Sequence, residues 1–109
     1  MYGLPTDTDL SFLNDCELNQ VCVGRNEVIL NFNGGDVSIY VGGEYDIDGT
    51  GGTPKDLFRF LGFRITTVSN AGNGTIHLSF ADVGRISIHD SEPHYESYTI
   101  NAPEKCIVV

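Results

Sequence analysis

Residues 28–41 read VILNFNGGDVSIYV, and this stretch decides the fold class. Val28, Leu30 and Phe32 alternate with Ile29 and Asn31, and Val37, Ile39 and Val41 alternate with Ser38 and Tyr40. Side chains of a strand point to opposite faces with period two, so each run reads as a strand with one apolar face. Asn33-Gly34-Gly35-Asp36 lies between them. It is a turn cluster too short for a parallel crossover, and it makes the pair an antiparallel hairpin.

The same pattern returns further along. Ile76, Leu78 and Phe80 form another alternating set, followed by Ile86 and Ile88. Asn70-Ala71-Gly72-Asn73-Gly74 and Ala81-Asp82-Val83-Gly84 supply the turns. The halves look related. Leu18-x-x-Val21 is echoed by Ile65-x-x-Val68, Val28-x-Leu30-x-Phe32 by Ile76-x-Leu78-x-Phe80, Val37-x-Ile39 by Ile86-x-Ile88, and Tyr45 by Tyr95, with an offset drifting from 47 to 50. The pseudo-repeat covers roughly 18–48 and 65–101 of a single domain, 1–109.

Between the halves a helix is expected over 54–61. Thr53 suits the N-cap, Pro54 the first turn and Asp56 the capping box. Leu57, Phe58, Phe60 and Leu61 would form its apolar side, Lys55 and Arg59 its wet side, and Gly62 the residue past its end. A short helix from Thr8 or Asp9 through Leu13 and a last strand over 104–109 complete the plan. The expected class is α+β, mainly β: two related antiparallel meanders joined by a Gly-rich loop and one short helix, as a curled sheet, sandwich or barrel-like single core. Val21-Cys22-Val23, Val28-Ile29-Leu30 and Ile107-Val108-Val109 are apolar on both faces, so a cover is expected from the helix, the N-terminal segment or a second subunit.

Composition narrows the function classes. With 6 basic and 15 acidic residues, the net charge of −9 argues against nucleic acid and against an anionic membrane surface. Residues 1–54 hold nine of the acids and one base, Arg25. No run is long and apolar enough to span a bilayer, and the first residues do not read as a secretion signal. Three cysteines, Cys16, Cys22 and Cys106, suggest reduced thiols in a cytoplasmic protein. Cys22 and Cys106 fall in apolar strands as expected inert hydrophobes, and the acids flanking Cys16 would raise its pKa.

Two stretches invite chemistry. His89, Asp90, Glu92 and His94 in SIHDSEPHYESYTI (87–100) could converge on a metal or serve an enzyme, but a Pro-containing turn gives no regular ligand spacing, and a polar turn is the preferred reading. Of Tyr95 and Tyr98, on opposite strand faces, one is expected to pack in the core with its hydroxyl tied to backbone. Asp46-Ile47-Asp48-Gly49-Thr50-Gly51 resembles half a calcium loop; Leu57 stands where the bidentate glutamate belongs, and a flexible acidic loop is expected. His77 reads as structural, and no nucleophile elbow or phosphate loop is present.

LPTDTDLSFL near the start, VILNF and DVSIYV in the middle, and DSEPHYESYTI with IVV at the end resemble a family of small bacterial proteins classed as a domain of unknown function. Leu10-Ser11-Phe12-Leu13 and Ser91-x-x-x-Tyr95-Glu96-Ser97-Tyr98-x-Ile100 carry the resemblance, and Asn101-Ala102-Pro103-Glu104 departs from it before the last strand. The resemblance implies a small, bacterial, cytoplasmic protein and carries no activity or cofactor.

The expected function is a small non-catalytic protein-binding domain without cofactor, in its sharpest form an immunity-type inhibitor of a basic toxin, since acidic fields accelerate capture of basic partners. Glu27, Asp36, Tyr40, Glu44, Tyr45, Asp46 and Asp48 are the candidate contact residues. The alternatives are a homo-oligomeric structural or accessory subunit, and a metal-binding protein or enzyme using the 89–94 turn.

Overall fold

A computed structural model describes residues 4–5, 7–91 and 97–109. The first meander is β1 (Leu18–Val23), β2 (Val28–Phe32) and β3 (Val37–Val41); the second is β6 (Ile65–Asn70), β7 (Ile76–Phe80) and β8 (Gly84–Ile88). Each meander is followed by a hairpin, β4 (Tyr45–Ile47) with β5 (Thr50–Gly51), and β9 (Tyr98–Ala102) with β10 (Lys105–Val108).

The hairpins cross over. The first sheet runs β1-β2-β3-β9-β10 and the second β5-β4-β8-β7-β6, so each meander is extended by the hairpin that follows the other. All ladders are antiparallel. The sheets meet at the starts of β1 and β6, where Glu17 bridges Arg64. Leu18 N–H donates to Phe63 O at 3.0 Å and Ile65 N–H to Cys16 O at 2.9 Å, the second bond repeating the first with its partners exchanged between the halves. Both first strands break register just after their first residue, between Leu18 and Gln20 and between Ile65 and Thr67.

Register revises the equivalences read from spacing. Opposite Leu30 stands Ile39, and opposite Leu78 stands Ile86; opposite Val28 stands Val41, and opposite Ile76 stands Ile88. Ile39 therefore matches Ile86, not Ile88. Tyr98 pairs with Val41 as Tyr45 pairs with Ile88, so Tyr98 holds in one sheet the place that Tyr45 holds in the other; Tyr95, matched to Tyr45 by spacing, lies outside the described residues. The offset stays near its starting value through the third strand and then jumps, because three residues (42–44) join β3 to β4 while nine (89–97) join β8 to β9.

Apolar alternation produces one core. Leu30, Ile39 and Ile100 from the first sheet and Ile76, Leu78 and Ile88 from the second are at most 1% exposed. The radius of gyration is 12.5 Å, close to the roughly 13 Å of a 100-residue globule. The connecting helix α1 (Pro54–Leu57) continues as a 3-10 turn, Phe58–Phe60. Thr53 N–H and Oγ1 donate to Asp56 Oδ2 at 2.9 and 3.0 Å. Gly62 follows the last turn at φ 86°, a left-handed conformation suited to glycine. Only Leu57 and Phe60 of its expected apolar side are buried; Phe58 is 47% and Leu61 38% exposed. So short a helix turns only its i and i+3 positions to the core.

The N-terminal segment forms a 3-10 turn at Ser11–Leu13 rather than a longer helix, with Asp9 Oδ1 accepting from Ser11 N–H at 2.9 Å. The acidic 46–51 stretch is no flexible loop. It is the β4–β5 hairpin, with Asp48 and Gly49 at φ 56° and 83°, both in the left-handed region that a two-residue type I′ turn requires. The outer face of the first sheet bears Ile29, Tyr40 and Val108, half-buried or exposed. Neither the helix nor the N-terminal segment covers them fully. Cys106 is exposed and Cys22 half-buried on that face, so neither is the buried hydrophobe that strand placement suggested.

Candidate functional site

The outer side of the second sheet carries a polar row. His77 on β7, Ser87 on β8, Asp46 on β4 and Gly51 on β5 stand opposite one another in register. Their neighbours Ile76, Ile86, Ile88 and Ile47 point the other way, into the core. Thr75 and His89 flank the Ile76–Ile88 pair and join the same side. Nδ1 of His77 lies 2.7 Å from Ser87 Oγ. Nε2 of His89 lies 2.7 Å from Asp46 Oδ2, and its Nδ1 lies 3.1 Å from Thr75 Oγ1.

One proton position in the second chain follows from its carboxylate end. A carboxylate only accepts, so His89 donates Nε2–H to Asp46, while the Thr75 hydroxyl, able to donate or accept, meets Nδ1 at the other end. The order hydroxyl, imidazole, carboxylate is that of an acyl-transfer relay; here it links β4 to the residues just before β7 and just after β8. Thr75 is 6% exposed, and both ring nitrogens are spent inside the protein.

His89, Asp46 and the stretch Gly43–Tyr45 border an open cavity of about 400 Å³, completed by Gly51 and Gly52. Asp46 Oδ1 is buried and has no hydrogen-bond partner among the described residues. Burial, then the nearby charge of Asp56, raises the pKa of Tyr45. Gly52 is held to glycine by packing: a Cβ there would come 2.8 Å from Ile47 Cγ1 and 3.3 Å from the Tyr45 ring. At Gly51 the same atom would meet nothing within 4 Å. A second hollow of about 170 Å³ adjoins the first, shares Gly43 and Tyr45 with it, and is lined also by Glu27, Arg25 and Pro54.

Of the seven candidate contact residues, Glu27, Glu44, Tyr45 and Asp46 therefore gather around two neighbouring hollows. The other three lie elsewhere. Asp36 precedes β3 and so sits at the strand's opposite end from Gly43. Tyr40, 39% exposed, stands on the outer face of the first sheet. Asp48 closes its own hairpin turn, accepting from Arg85 N–H at 2.9 Å and pairing with Arg59; these bonds, the backbone one first, hold its carboxyl below the usual range. Asp46 and Asp48 thus serve different partners and do not converge as calcium ligands.

The alternative set at 89–94 divides as well. His89 turns to Asp46 and Thr75, while Asp90 Oδ1 accepts from Ser97 Oγ at 3.1 Å. Glu92 and His94 lie outside the described residues. Among the described residues no three His, Cys, Asp or Glu side chains are placed to hold a metal ion. Spacing missed the roles of Thr75, Gly51 and Gly52. The Asp48-Gly49 dipeptide was the one local sign of the hairpin that carries both glycines.

Fold and site together define a β-rich α+β domain of two antiparallel sheets with an acid-bordered hollow on the outer side of the second. No family model, curated protein or solved structure matches the chain. Among the described residues no helix is long and apolar enough to cross a membrane.

Proposed function

We propose that this chain is a non-catalytic protein-binding domain that docks a basic segment of a partner on the hollows beside Tyr45, and that an immunity-type inhibitor of a basic toxin is its most specific form. The observation that carries the reading is the gathering of Glu27, Glu44 and Asp46 around Tyr45, against the single base Arg25. Carboxylates on one surface attract a cationic partner over about a Debye length, roughly 8–10 Å at physiological salt. A half-buried tyrosine at their centre supplies rigid contact area with a polar tip. The spent nitrogens of His89 fit a supporting role beneath that surface better than a catalytic one.

The test begins with a partner captured from the native cell. Its affinity is then measured across ionic strength with the natural chain and with Glu27→Gln plus Glu44→Gln. Steep weakening by salt and slower association of the variant are expected. An affinity indifferent to both removes the reading.

A second reading, a homo-oligomer, is favoured by the outer face of the first sheet, where Tyr40 is exposed beside half-buried Ile29. Light scattering at high concentration decides it, a strict monomer being the adverse result.

A further inference from the structure

The two sheets share one strand plan, and their outer sides fill it differently. By register, Ile29 holds in the first sheet the place of His77 in the second, Tyr40 that of Ser87, Thr99 that of Asp46 and Val108 that of Gly51. Cys22, opposite Ile29, matches Ser69, opposite His77. The second sheet is thus an internal control. It builds the same ladders over the same core with a polar outer row, so the fold does not require the largely apolar row from Cys22 to Val108. Tyr40 is 39% exposed and the other four are half-buried. A contiguous apolar surface that the fold does not demand marks a contact surface.

Charge selects the occupant. The neighbouring row on the same face, Gln20, Asn31, Ser38, Asn101 and Cys106, is uncharged as well, whereas Arg85 stands on the second sheet at the place of Ser38. A strongly basic or acidic partner finds no counter-charge in either row, and burying its charge unpaired is costly. A second copy carries the same net charge of −9, and this face receives it without like charges in contact. Symmetry fits the same occupant. Because β3 is the middle of five strands, a twofold axis along it lays β2 over β9 of the second copy and β1 over β10. Tyr40 then meets its own counterpart, Ile29 meets Thr99 and Cys22 meets Val108, the self-matching contact of an isologous dimer.

We propose that the chain forms a symmetric dimer by packing its first sheet face to face on that of a second copy, with Tyr40 on the twofold axis. The inference rests on the homo-oligomer reading above and names the surface, symmetry and contacts which that reading leaves open. Five strands about 4.8 Å apart and about five residues long give a footprint of roughly 24 by 16 Å. That falls short of the roughly 800 Å² per partner of a standard interface, so the dimer is reversible and forms with rising concentration. Salt strengthens it, because screening weakens the repulsion between two acidic copies, the opposite of its effect on capture of a basic partner.

The internal control supplies the variant. Ile29→His with Tyr40→Ser gives the first sheet the residues that the second carries at the same places. Sedimentation velocity over a concentration series, at pH 8 where the new histidine is neutral, is expected to show a monomer–dimer equilibrium for the natural chain and association at least about tenfold weaker for the variant. In isotopically labelled natural chain, amide shifts that grow with concentration are expected at Ile29, Tyr40 and Thr99 and absent at His77, Ser87 and Asp46. This second measurement needs no variant and decides alone should the double variant fail to fold. A monomer at every concentration would overturn the proposal together with the homo-oligomer reading. Association undiminished in the variant, or shifts on another surface, would overturn this interface and leave the homo-oligomer reading standing.

Discussion

Tyr98, fully buried at the start of β9, donates its phenol to the carbonyl of Gly74 at 2.6 Å. This bond ties the first sheet to the turn before β7 in the second. Burial, then the charge of Asp90, raises the phenol far above the range of an exposed tyrosine. Tyr98→Phe keeps the ring and strands the carbonyl, so stability is expected to fall by about 1–3 kcal/mol. Urea unfolding of the two proteins checks it. In an alkaline absorbance titration of the natural chain, one tyrosine is expected to ionise only as the protein unfolds, and Tyr98→Phe is expected to lose that late step.

Phe58 and Phe60 sit two residues apart in the connecting helix and should behave oppositely. Phe60 is fully buried with its ring 4.9 Å from that of Phe80, whereas Phe58 is 47% exposed. Phe60→Ala is expected to cost about 3–5 kcal/mol and Phe58→Ala within about 0.5 kcal/mol. Thermal or denaturant midpoints measured side by side test the contrast.

Gly51 and Gly52 make a similar pair. An alanine at 52 would press on Ile47 Cγ1 at 2.8 Å, while one at 51 meets nothing within 4 Å. Gly52→Ala is therefore expected to destabilise by about 1–3 kcal/mol, with Gly51→Ala close to neutral. Equal midpoints for the two variants would contradict the packing described around Tyr45.

His77 makes the stability pH-dependent in a defined direction. Burial first, then the charges of Arg85 and His89, hold its pKa below the ordinary 6.5, with Asp46 opposing. The unfolded chain therefore takes up the proton at a higher pH than the folded one. The contribution is fully present above 6.5 and is lost as pH falls through the lower folded value. His77→Gln removes the titrating group, so its urea midpoint is expected to fall less between neutral and mildly acid pH. Parallel decline of both proteins would refute the assignment.

The three thiols should react in order of exposure. Cys106 is exposed, Cys22 half-buried and Cys16 buried, with burial as the main cause raising the Cys16 thiol. A disulfide reagent applied to native protein is expected to label Cys106 first, Cys22 next, and Cys16 only under unfolding conditions. Mass spectrometry of the labelled peptides reads the order.

The strands, their turns and the capping box at Thr53 and Asp56 were legible in the chain, because each depends on neighbours within a few residues: side-chain alternation, left-handed turn conformations and a carboxylate three positions on. The exchange of hairpins between the sheets was not. Nothing in Tyr45 or Tyr98 states which distant edge it will pair with, since that choice is made by burying the apolar faces of both meanders in one core. The site depends on that exchange. Asp46 and His89 stand 43 residues apart and become neighbours only because β4 leaves its own meander for β8. Residue types alone drew attention to both, and tertiary pairing made them partners, because a hydrogen bond across two strands requires the register that only the folded sheet supplies.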